Sequence, residues 1–355
     1  MLPPHDAQYH HHEGRRLILR TETVEQTIDG KEKRTFVKEV LMTPGPAPLG
    51  IVRKRLPPPS ATRGTVLLIH GYGQNRYTWH SSRRSFANFL ADDGWDVFNV
   101  DLRGHGRSRR FGAPFPRTLD DYIQEDLPAF VREALELSGQ DRVFLVGHSM
   151  GGLISYFAGA TALRPMVRGI VSIGSPYVFG QGSALLFGLR ELAAAVRWTG
   201  MLDGNPALPL RLVGRHLQRR QRIWNARHLP LPIRAWAPDT VEPDVLEEYL
   251  ARTFDRSTLT VALDIFRAGR AAGFKSADGM IDYSTAFEIL DRPLLVVAGT
   301  EDGVAPPASV RPAYERSRSS DKTYRAFPFG HIDLVVGKEA TRTVWPLIRN
   351  WLARR

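Results

Sequence analysis

The sequence has 355 residues, 43% of them hydrophobic, which suffices for one large domain with an insertion or for two domains. It contains no cysteine, so disulfides, thiolate metal sites and a cysteine nucleophile are all excluded. The formal net charge of +11 favours an acidic partner, such as an anionic lipid surface, nucleic acid or an anionic substrate, and says nothing about the fold.

The N-terminal residues carry no sign of a targeting segment. Residues 1–8 lack an apolar h-region, and no run of about 18 apolar residues follows, so neither a signal peptide nor a membrane span is predicted. We therefore expect a cytoplasmic protein. His10, His11 and His12 are a candidate metal-binding tract, but they stand in a polar segment without a scaffold, and we expect no metal and no cofactor.

Short strand patterns occupy the first sixty residues. Apolar and polar side chains alternate in residues 17–21 and 36–42, and less clearly in residues 50–56. Two turn signals, Asp29-Gly30 and residues 44–46, separate these segments. This pattern predicts an antiparallel hairpin. We assign residues 1–60 to an N-terminal extension that precedes the main domain.

Continuous apolar runs replace this alternation from residue 66 onwards. They lie at residues 66–69, 97–100, 143–146, 170–173 and 294–298, mostly with helix-length segments between them. Such runs are typical of strands that are buried on both faces of a parallel sheet. The alternation of strand and helix predicts an α/β fold with a mostly parallel central sheet and helices on both faces.

One gap in this rhythm is too long for a crossover helix. The 120 residues from 174 to 293 separate two of the apolar runs. Within the gap, residues 184–198 are apolar and helix-like, and residues 210–234 are rich in arginine. We predict a mainly helical cap at residues 179–285, and a core made of residues 61–178 and 286–355.

A candidate nucleophile lies between a predicted strand and a predicted helix. Gly147-His148-Ser149-Met150-Gly151 fits the pattern G-x-S-x-G. A sharp turn at this place strains the backbone of the serine and presents its hydroxyl above the sheet edge, while the glycines make room for the neighbouring chain. The pattern alone arises often by chance, and its strand–turn–helix context is what singles out Ser149.

Candidate oxyanion donors follow the first buried strand, in His70-Gly71-Tyr72-Gly73. Acyl transfer passes through a tetrahedral oxyanion, which requires two preorganised hydrogen-bond donors. We assign these donors to the backbone amides of Tyr72 and Met150. The alternative is that the glycines only shape a turn, and both interpretations can hold together.

The base that accepts the Ser149 proton is expected to be a histidine, which titrates near neutral pH. His331 stands in Gly330-His331-Ile332, shortly before the predicted C-terminal helix. Its position fits the chain order Ser, acid, His that this kind of triad follows.

The acid that orients the base should follow a late strand. We assign the acid to Asp302, which comes shortly after the apolar run 294–298, with the neighbouring Glu301 as its competitor. The loop after the preceding strand, residues 174–177, contains no carboxylate. Asp333 is too close to His331 in the chain to be preferred.

Together these motifs resemble the α/β-hydrolase superfamily. The resemblance is carried by the strand ending in His70-Gly71, residues 101–108, the Gly-His-Ser-Met-Gly-Gly turn, Gly299-x-x-Asp302 and Gly330-His331. It implies the α/β-hydrolase fold and places Asp101 and His105 in a structural loop that frames the site. The superfamily includes esterases, lipases, thioesterases, peptidases and acyltransferases, so the resemblance does not identify a substrate.

Within the superfamily, residues 330–340 and the long insert are similar to acid lipases and polyhydroxyalkanoate synthases. The synthases normally carry cysteine at the nucleophile position, and epoxide hydrolases and haloalkane dehalogenases carry aspartate there, so Ser149 favours hydrolysis by serine. We predict a lipase- or esterase-like enzyme that cleaves a small-molecule or lipid carboxylic ester through an acyl-enzyme. An acyltransferase or thioesterase and a catalytically weak ligand-binding receptor are the alternatives, and no substrate-binding residue is assigned.

The arginine-rich part of the insert supports a hypothesis about partners. On a helix over residues 210–224, Leu210, Val213, Leu217 and Trp224 fall near one face, with arginines around it. Such a helix can lie on an anionic membrane, as a peripheral contact, but a solvated helix packed on the core with its arginines outward is the simpler explanation of the pattern. Nucleic acid is not expected, because no reader motif accompanies the arginines.

Overall fold

The structure is a computed structural model that describes residues 17–198, 205–226, 233–268 and 273–355, with only the helical backbone described for residues 193–198. The histidines at positions 10–12 lie outside the described residues. The strands are β1 (Leu17–Thr27), β2 (Lys33–Met42), β3 (Gly50–Arg55), β4 (Thr65–Ile69), β5 (Asp96–Asp101), β6 (Val143–His148), β7 (Val167–Ile173), β8 (Ala207–Leu208), β9 (Ser257–Thr258), β10 (Leu294–Gly299) and β11 (Lys322–Phe327).

The α-helices of the described residues alternate with these strands through most of the chain. They are α1 (Phe86–Asp92), α2 (Gly106–Arg110), α3 (Leu127–Ser138), α4 (Met150–Ala160), α5 (Ala184–Trp198), α6 (Leu210–Arg219), α7 (Gln221–Trp224), α8 (Pro243–Thr253), α9 (Leu259–Arg267), α10 (Tyr283–Glu288), α11 (Pro307–Arg316), α12 (Asp333–Val336) and α13 (Val344–Ala353). A 3₁₀ turn at Arg76–Trp79 and a π-helical turn at Asp121–Asp126 complete the set. None of the helices in these ranges is long and apolar enough to cross a membrane.

Nine strands form one sheet in the order β1-β2-β3-β5-β4-β6-β7-β10-β11. The pairs β1–β2, β2–β3 and β3–β5 are antiparallel, and every later pair of neighbours is parallel. The predicted mostly parallel sheet is confirmed. The antiparallel hairpin is also present, with β1 six residues longer than the alternation indicated.

The sheet is buried on both faces because its central strands present apolar side chains alternately to two hydrophobic clusters. In β4, Leu67 and Ile69 belong to one cluster, together with residues of α3, α4 and α11. Val66 and Leu68 belong to the other cluster, together with residues of α1, α8 and α13. The continuous apolar runs in the sequence therefore arise from helices packing on both sides of the sheet.

The strand order brings several loops to one edge of the sheet. The carboxyl ends of the neighbouring parallel strands β4, β6, β7 and β10 all lie at this edge. Ligands of open α/β sheets bind outside the carboxyl ends of the strands. The candidate donors follow β4, the candidate nucleophile follows β6 and the candidate acid follows β10.

The described part of residues 179–268 is mainly helical, with α5 to α9 and the two-residue strands β8 and β9. The predicted end of the insert at residue 285 falls inside α10, however. Tyr283 and Phe287 of α10 pack against Phe157 and Tyr156 of α4, with ring centroids 5.6 and 4.6 Å apart. Because α10 packs on the core, we propose that the cap ends before residue 273.

The arginine-rich segment differs from the single helix that the sequence predicted. The chain breaks into α6 and α7 at Arg220. Gly214 and Leu217 are buried, and a Cβ on Gly214 would lie 2.8 Å from the backbone oxygen of Leu250 in α8. Leu217 of the predicted apolar face is thus buried beside α8, whereas Val213 is 45% exposed.

Candidate active site

Ser149 lies at the sharp turn from β6 to α4. Its backbone angles are φ 56° and ψ −123°, a conformation that is uncommon and strained for a residue with a side chain. The Ser149 N–H donates a hydrogen bond to the Ile173 carbonyl at the end of β7, at 2.9 Å. The turn therefore holds the serine at the carboxyl edge of the sheet despite the strain.

The glycines around Ser149 allow the turn to pack closely. A Cβ on Gly147 would lie 2.3 Å from backbone atoms of Gly151 and Gly152. A Cβ on Gly151 would lie 2.3 Å from the carbonyl oxygen of Ile69, in β4. Glycine is therefore required at both positions, because backbone atoms rather than flexible side chains fill the space.

This packing predicts opposite effects for two helical glycines. We expect Gly151→Ala to lower the free energy of unfolding by about 2 kcal/mol, because its methyl group would overlap the Ile69 carbonyl. Gly188→Ala in α5 is the control, since a Cβ there meets nothing within 4 Å, and it should stabilise the protein by about 0.5 kcal/mol. Urea unfolding measures both changes, and a Gly151→Ala protein as stable as the wild type would contradict this account of the turn.

His331 and Asp302 form a buried hydrogen-bonded pair. The Nδ1 atom of His331 lies 2.7 Å from Oδ2 of Asp302 and donates to it, because a carboxylate can only accept. The other Asp302 oxygen accepts from the backbone amides of Val304 and Ala305, at 2.8 and 2.7 Å. Glu301 is exposed, so Asp302 is the carboxylate that contacts the imidazole. The pair leaves Nε2 of His331 available for a proton.

Backbone and ring contacts bring His331 next to the Ser149 turn. The ring of His148 lies 4.5 Å from the ring of His331, and its Nε2 donates to the His331 carbonyl at 3.1 Å. Burial lowers the pKa of His148 well below its usual value, so this imidazole is neutral. A Cβ on Gly174, which follows Ile173, would lie 3.2 Å from both His331 Nδ1 and Asp302 Oδ2.

The hydroxyl of Ser149 has no hydrogen-bond partner among the described residues. Hydrogen bonds between nucleophile and base are often long in free enzymes and tighten when substrate binds. The arrangement thus leaves the hydroxyl open to a carbonyl group that enters above the turn.

The backbone amides of Tyr72 and Met150 have no hydrogen-bond partner among the residues that the structure describes. Met150 begins α4, where the first amides lack partners within the helix and the helix dipole favours negative charge. A Cβ on Gly71 would lie 3.1 Å from Cβ of Ser149, so the loop of Tyr72 runs beside the serine. Two free donors therefore flank the Ser149 turn.

Gln74 and His70 hold this loop in place. Oε1 of Gln74 accepts from the Gly71 amide at 3.2 Å, and its Nε2 donates to the Tyr249 hydroxyl at 3.0 Å. Nδ1 of His70 donates to the Gly71 carbonyl at 2.9 Å, and its Nε2 accepts from the Leu102 amide at 3.1 Å. Burial lowers the pKa of His70, which matches its neutral role in these bonds.

The insert packs directly on the same loop. The Tyr72 hydroxyl donates to the Thr258 carbonyl at 2.8 Å, and the Asp255 amide donates to the Gly73 carbonyl at 2.7 Å. Leu210, at the start of α6, fills the space where Gly73 lacks a side chain. Residues of the insert thus cover the loop that carries the Tyr72 amide.

Comparison with known proteins identifies the family to which this fold belongs. The family model described as "alpha/beta hydrolase fold" matches residues 64–338. The chain belongs to the α/β-hydrolase family. A tear acid lipase-like protein of Mesocricetus auratus is 23% identical over 79% of this chain and 77% of its own length.

Two further proteins are similar to this chain, over different shares of their own length. The poly(3-hydroxyalkanoate) polymerase subunit PhaC of Haloferax mediterranei is 25% identical over 77% of this chain but only 55% of its own length. The crystal structure of a Paleococcus ferrophilus monoacylglycerol lipase matches 86% of this chain and 98% of its own, with 20% identity and a TM-score of 0.58. At this identity the structural match shows that the fold is shared.

Sequence reasoning missed three side chains that position the site of this α/β hydrolase: Gln74, His148 and Asp333. Oδ2 of Asp333 accepts from the amides of Gly330 and Ala237, both at 2.8 Å, and so ties the His331 loop to the insert. These contacts are consistent with the prediction that Asp333 is not the acid, because its Oδ2 binds backbone amides and not the imidazole of His331. The only sequence signal for the three residues is their closeness to the motif residues.

Asp333 should make stability depend on pH. Burial raises the pKa of Asp333 to about 6, whereas an unfolded aspartate titrates near a pKa of roughly 3.9. The carboxyl's favourable contribution to stability is therefore full below about pH 4 and is lost as the pH rises through 6. We expect the stability of Asp333→Asn relative to wild type to increase by about 2 kcal/mol between pH 4 and pH 8, measured by urea unfolding. A difference that does not vary with pH would contradict this assignment.

Proposed function

We propose that this α/β hydrolase is a serine hydrolase that cleaves carboxylic esters through an acyl-enzyme intermediate. The observation that carries the proposal is the strained Ser149 turn beside the 2.7 Å pair of His331 and Asp302. A nucleophile next to a base that is oriented by a third group is the general arrangement for covalent catalysis. The lipases among the similar proteins support the ester as the substrate class.

The proposed reaction has two steps. The Ser149 oxygen attacks the ester carbonyl while its proton moves to Nε2 of His331, and the amides of Tyr72 and Met150 donate to the oxyanion. The tetrahedral intermediate collapses, and the alcohol leaves with the proton from His331. Water then attacks the acyl-enzyme with His331 as base, which releases the acid and restores Ser149. Asp302 keeps the imidazole in the required tautomer throughout.

Acyl transfer to an acceptor other than water is a second candidate, favoured by the similarity to the polyhydroxyalkanoate polymerase subunit. The two functions share the acyl-enzyme and differ only in what attacks it. Incubation of a p-nitrophenyl ester with the protein, with and without an added alcohol, separates them by product analysis. Free acid as the main product in both samples supports hydrolysis, whereas a new ester that dominates at modest alcohol concentrations supports transfer.

We further propose that α6 contacts anionic membranes. Leu212 and Val213 are 54% and 45% exposed, and the neighbouring Arg211 and Arg215 are also exposed. Exposed apolar side chains beside arginines suit the interface of an anionic bilayer. Leu210 of the same helix lies on the Gly73 loop, so a helix held at the membrane would lie next to Ser149.

Sedimentation with phosphatidylglycerol vesicles at low salt tests this contact. We expect the wild type to sediment and Leu212→Asp to sediment less. Ile289→Asp is the matched control, because Ile289 is 48% exposed and follows α10, outside the helical insert. Equal losses in both variants, or no binding by the wild type, would remove the proposal.

A further inference from the structure

A cavity of about 560 Å³ lies over the antiparallel part of the sheet, away from the Ser149 turn. The side chains that line it come from β1, β2, β3 and β5, from the 3₁₀ turn after the Tyr72 loop, and from α2 and α8. Neither Ser149 nor Asp302 nor His331 is among them. The volume lies within the range of about 300–1,000 Å³ that is usual for small-molecule sites.

The walls of this cavity are strongly cationic. They include six positive side chains, Lys33, Lys38, Lys54, Arg76, Arg107 and Arg252, and one carboxylate, Glu25. Four of the six are in ion pairs. These pairs are Lys33–Glu25 at 3.7 Å, Lys38–Glu22 at 2.6 Å, Arg76–Asp101 at 2.8 Å and Arg252–Glu248 at 2.9 Å.

Lys54 is one of the two cations without a carboxylate partner among the described residues. Its side chain is buried, and its Nζ atom donates to Gln26 and Asn88, both at 2.6 Å. Burial, with Lys38 and Arg76 nearby, lowers the pKa of Lys54 well below its usual value. Its Nζ also lies 3.3 Å from Nδ1 of His80, so the hydrogen-bonding capacity of Lys54 is used within the protein and the guanidinium groups remain to contact a ligand.

Arg107 is the second cation without a carboxylate partner in the described ranges. Its backbone amide donates to Oδ2 of Asp101 at 2.8 Å, and the same carboxylate binds Arg76, so the two arginines are held side by side. The Nε atom of Arg107 is buried and has no hydrogen-bond partner among the described residues. Burial and the charge of Arg76 lower the pKa of Arg107. The Arg107 Nε–H can therefore donate to one further acceptor.

Tyr77 contacts two of the four remaining cations. The guanidinium carbons of Arg76 and Arg252 lie 4.4 and 4.3 Å from the centre of its ring, and Arg252 also donates to its hydroxyl at 3.0 Å. These contacts fix the two guanidinium groups before any ligand arrives. Rigid guanidinium groups match the oxygen atoms of a phosphate in geometry as well as in charge.

We propose that this cavity binds a doubly charged phosphate group, either as inorganic phosphate or as the phosphate monoester of a small molecule. The guanidinium groups of Arg76, Arg107 and Arg252 line the same cavity, and the Arg107 Nε–H can donate to a phosphate oxygen. The proposal does not depend on ester hydrolysis, because the cavity and the Ser149 site share no side chain.

Isothermal titration calorimetry on the full chain tests this proposal, with inorganic phosphate and glycerol 3-phosphate as ligands at constant ionic strength. We expect Arg107→Gln to bind both about tenfold more weakly than wild type, because a charge-assisted hydrogen bond is lost. Arg110→Gln is the matched control. It removes the same charge from the same helix, but Arg110 is exposed and lies outside the cavity wall.

The two ligands distinguish the source of the phosphate group. Tighter binding of the ester indicates a phosphorylated small molecule, and tighter binding of phosphate indicates the free ion; both outcomes support the site. Arg252→Gln provides a second test if Arg107→Gln unfolds at a lower temperature than wild type. No saturable binding by wild type below about 10 mM, or equal weakening in Arg107→Gln and Arg110→Gln, would overturn the proposal.

Discussion

Ser149→Ala should lower kcat for a short-chain p-nitrophenyl ester by about 10⁴-fold or more. The variant keeps the donors beside the turn but has no oxygen that can form the acyl-enzyme. The KM should change little, because the substitution removes only the reacting oxygen and leaves the amides of Tyr72 and Met150 in place. Initial rates over a range of substrate concentrations measure both constants.

A stability measurement separates lost chemistry from lost folding. Ser149→Ala keeps a side chain at φ 56°, so its midpoint of thermal unfolding should remain close to that of the wild type. Ser149→Gly should be as inactive as Ser149→Ala but more stable than wild type by about 1 kcal/mol, because glycine adopts positive φ without strain. An alanine variant that keeps a tenth of the wild-type rate would exclude Ser149 as the nucleophile.

Asp302→Asn should lower kcat by about 10³- to 10⁴-fold. The carboxylate accepts the Nδ1 proton of His331, whereas an amide in its place can donate to Nδ1 and favour the wrong tautomer. The same kinetic assay measures the effect.

Glu301→Gln is the matched control for Asp302→Asn. It makes the same change from carboxylate to amide one residue away, on a side chain that is exposed. We expect its kcat to stay within about twofold of wild type, as is usual for a surface substitution away from the reacting groups. A larger loss in Glu301→Gln than in Asp302→Asn would mean that the acid has been assigned to the wrong carboxylate.

The fold could be predicted because its main determinants are local in the sequence. Strands β4, β6 and β10 are continuous apolar runs, since helices cover both faces of the sheet. The segments that follow them carry Tyr72, Ser149 and Asp302, and strand order alone brings these segments to one edge. The choice between Asp302 and Glu301 needed the structure, because adjacent residues differ only in the direction of their side chains.

Other features depend on contacts between distant segments and left no local pattern. The break between α6 and α7 at Arg220 and the close approach of Gly214 to Leu250 in α8 are examples. Asp333 acts on a backbone amide 96 residues away, at Ala237. The cationic cavity gathers side chains from β1 to α8, and the sequence showed only their summed charge.

The most direct test of the central claim is covalent labelling with a fluorophosphonate, followed by peptide mapping. We predict one adduct per chain on Ser149, formed in the wild type and Glu301→Gln but not in Ser149→Ala, and formed much more slowly in Asp302→Asn. An adduct on a different residue, or no adduct on folded wild-type protein, would contradict the assignment of Ser149 as an activated nucleophile.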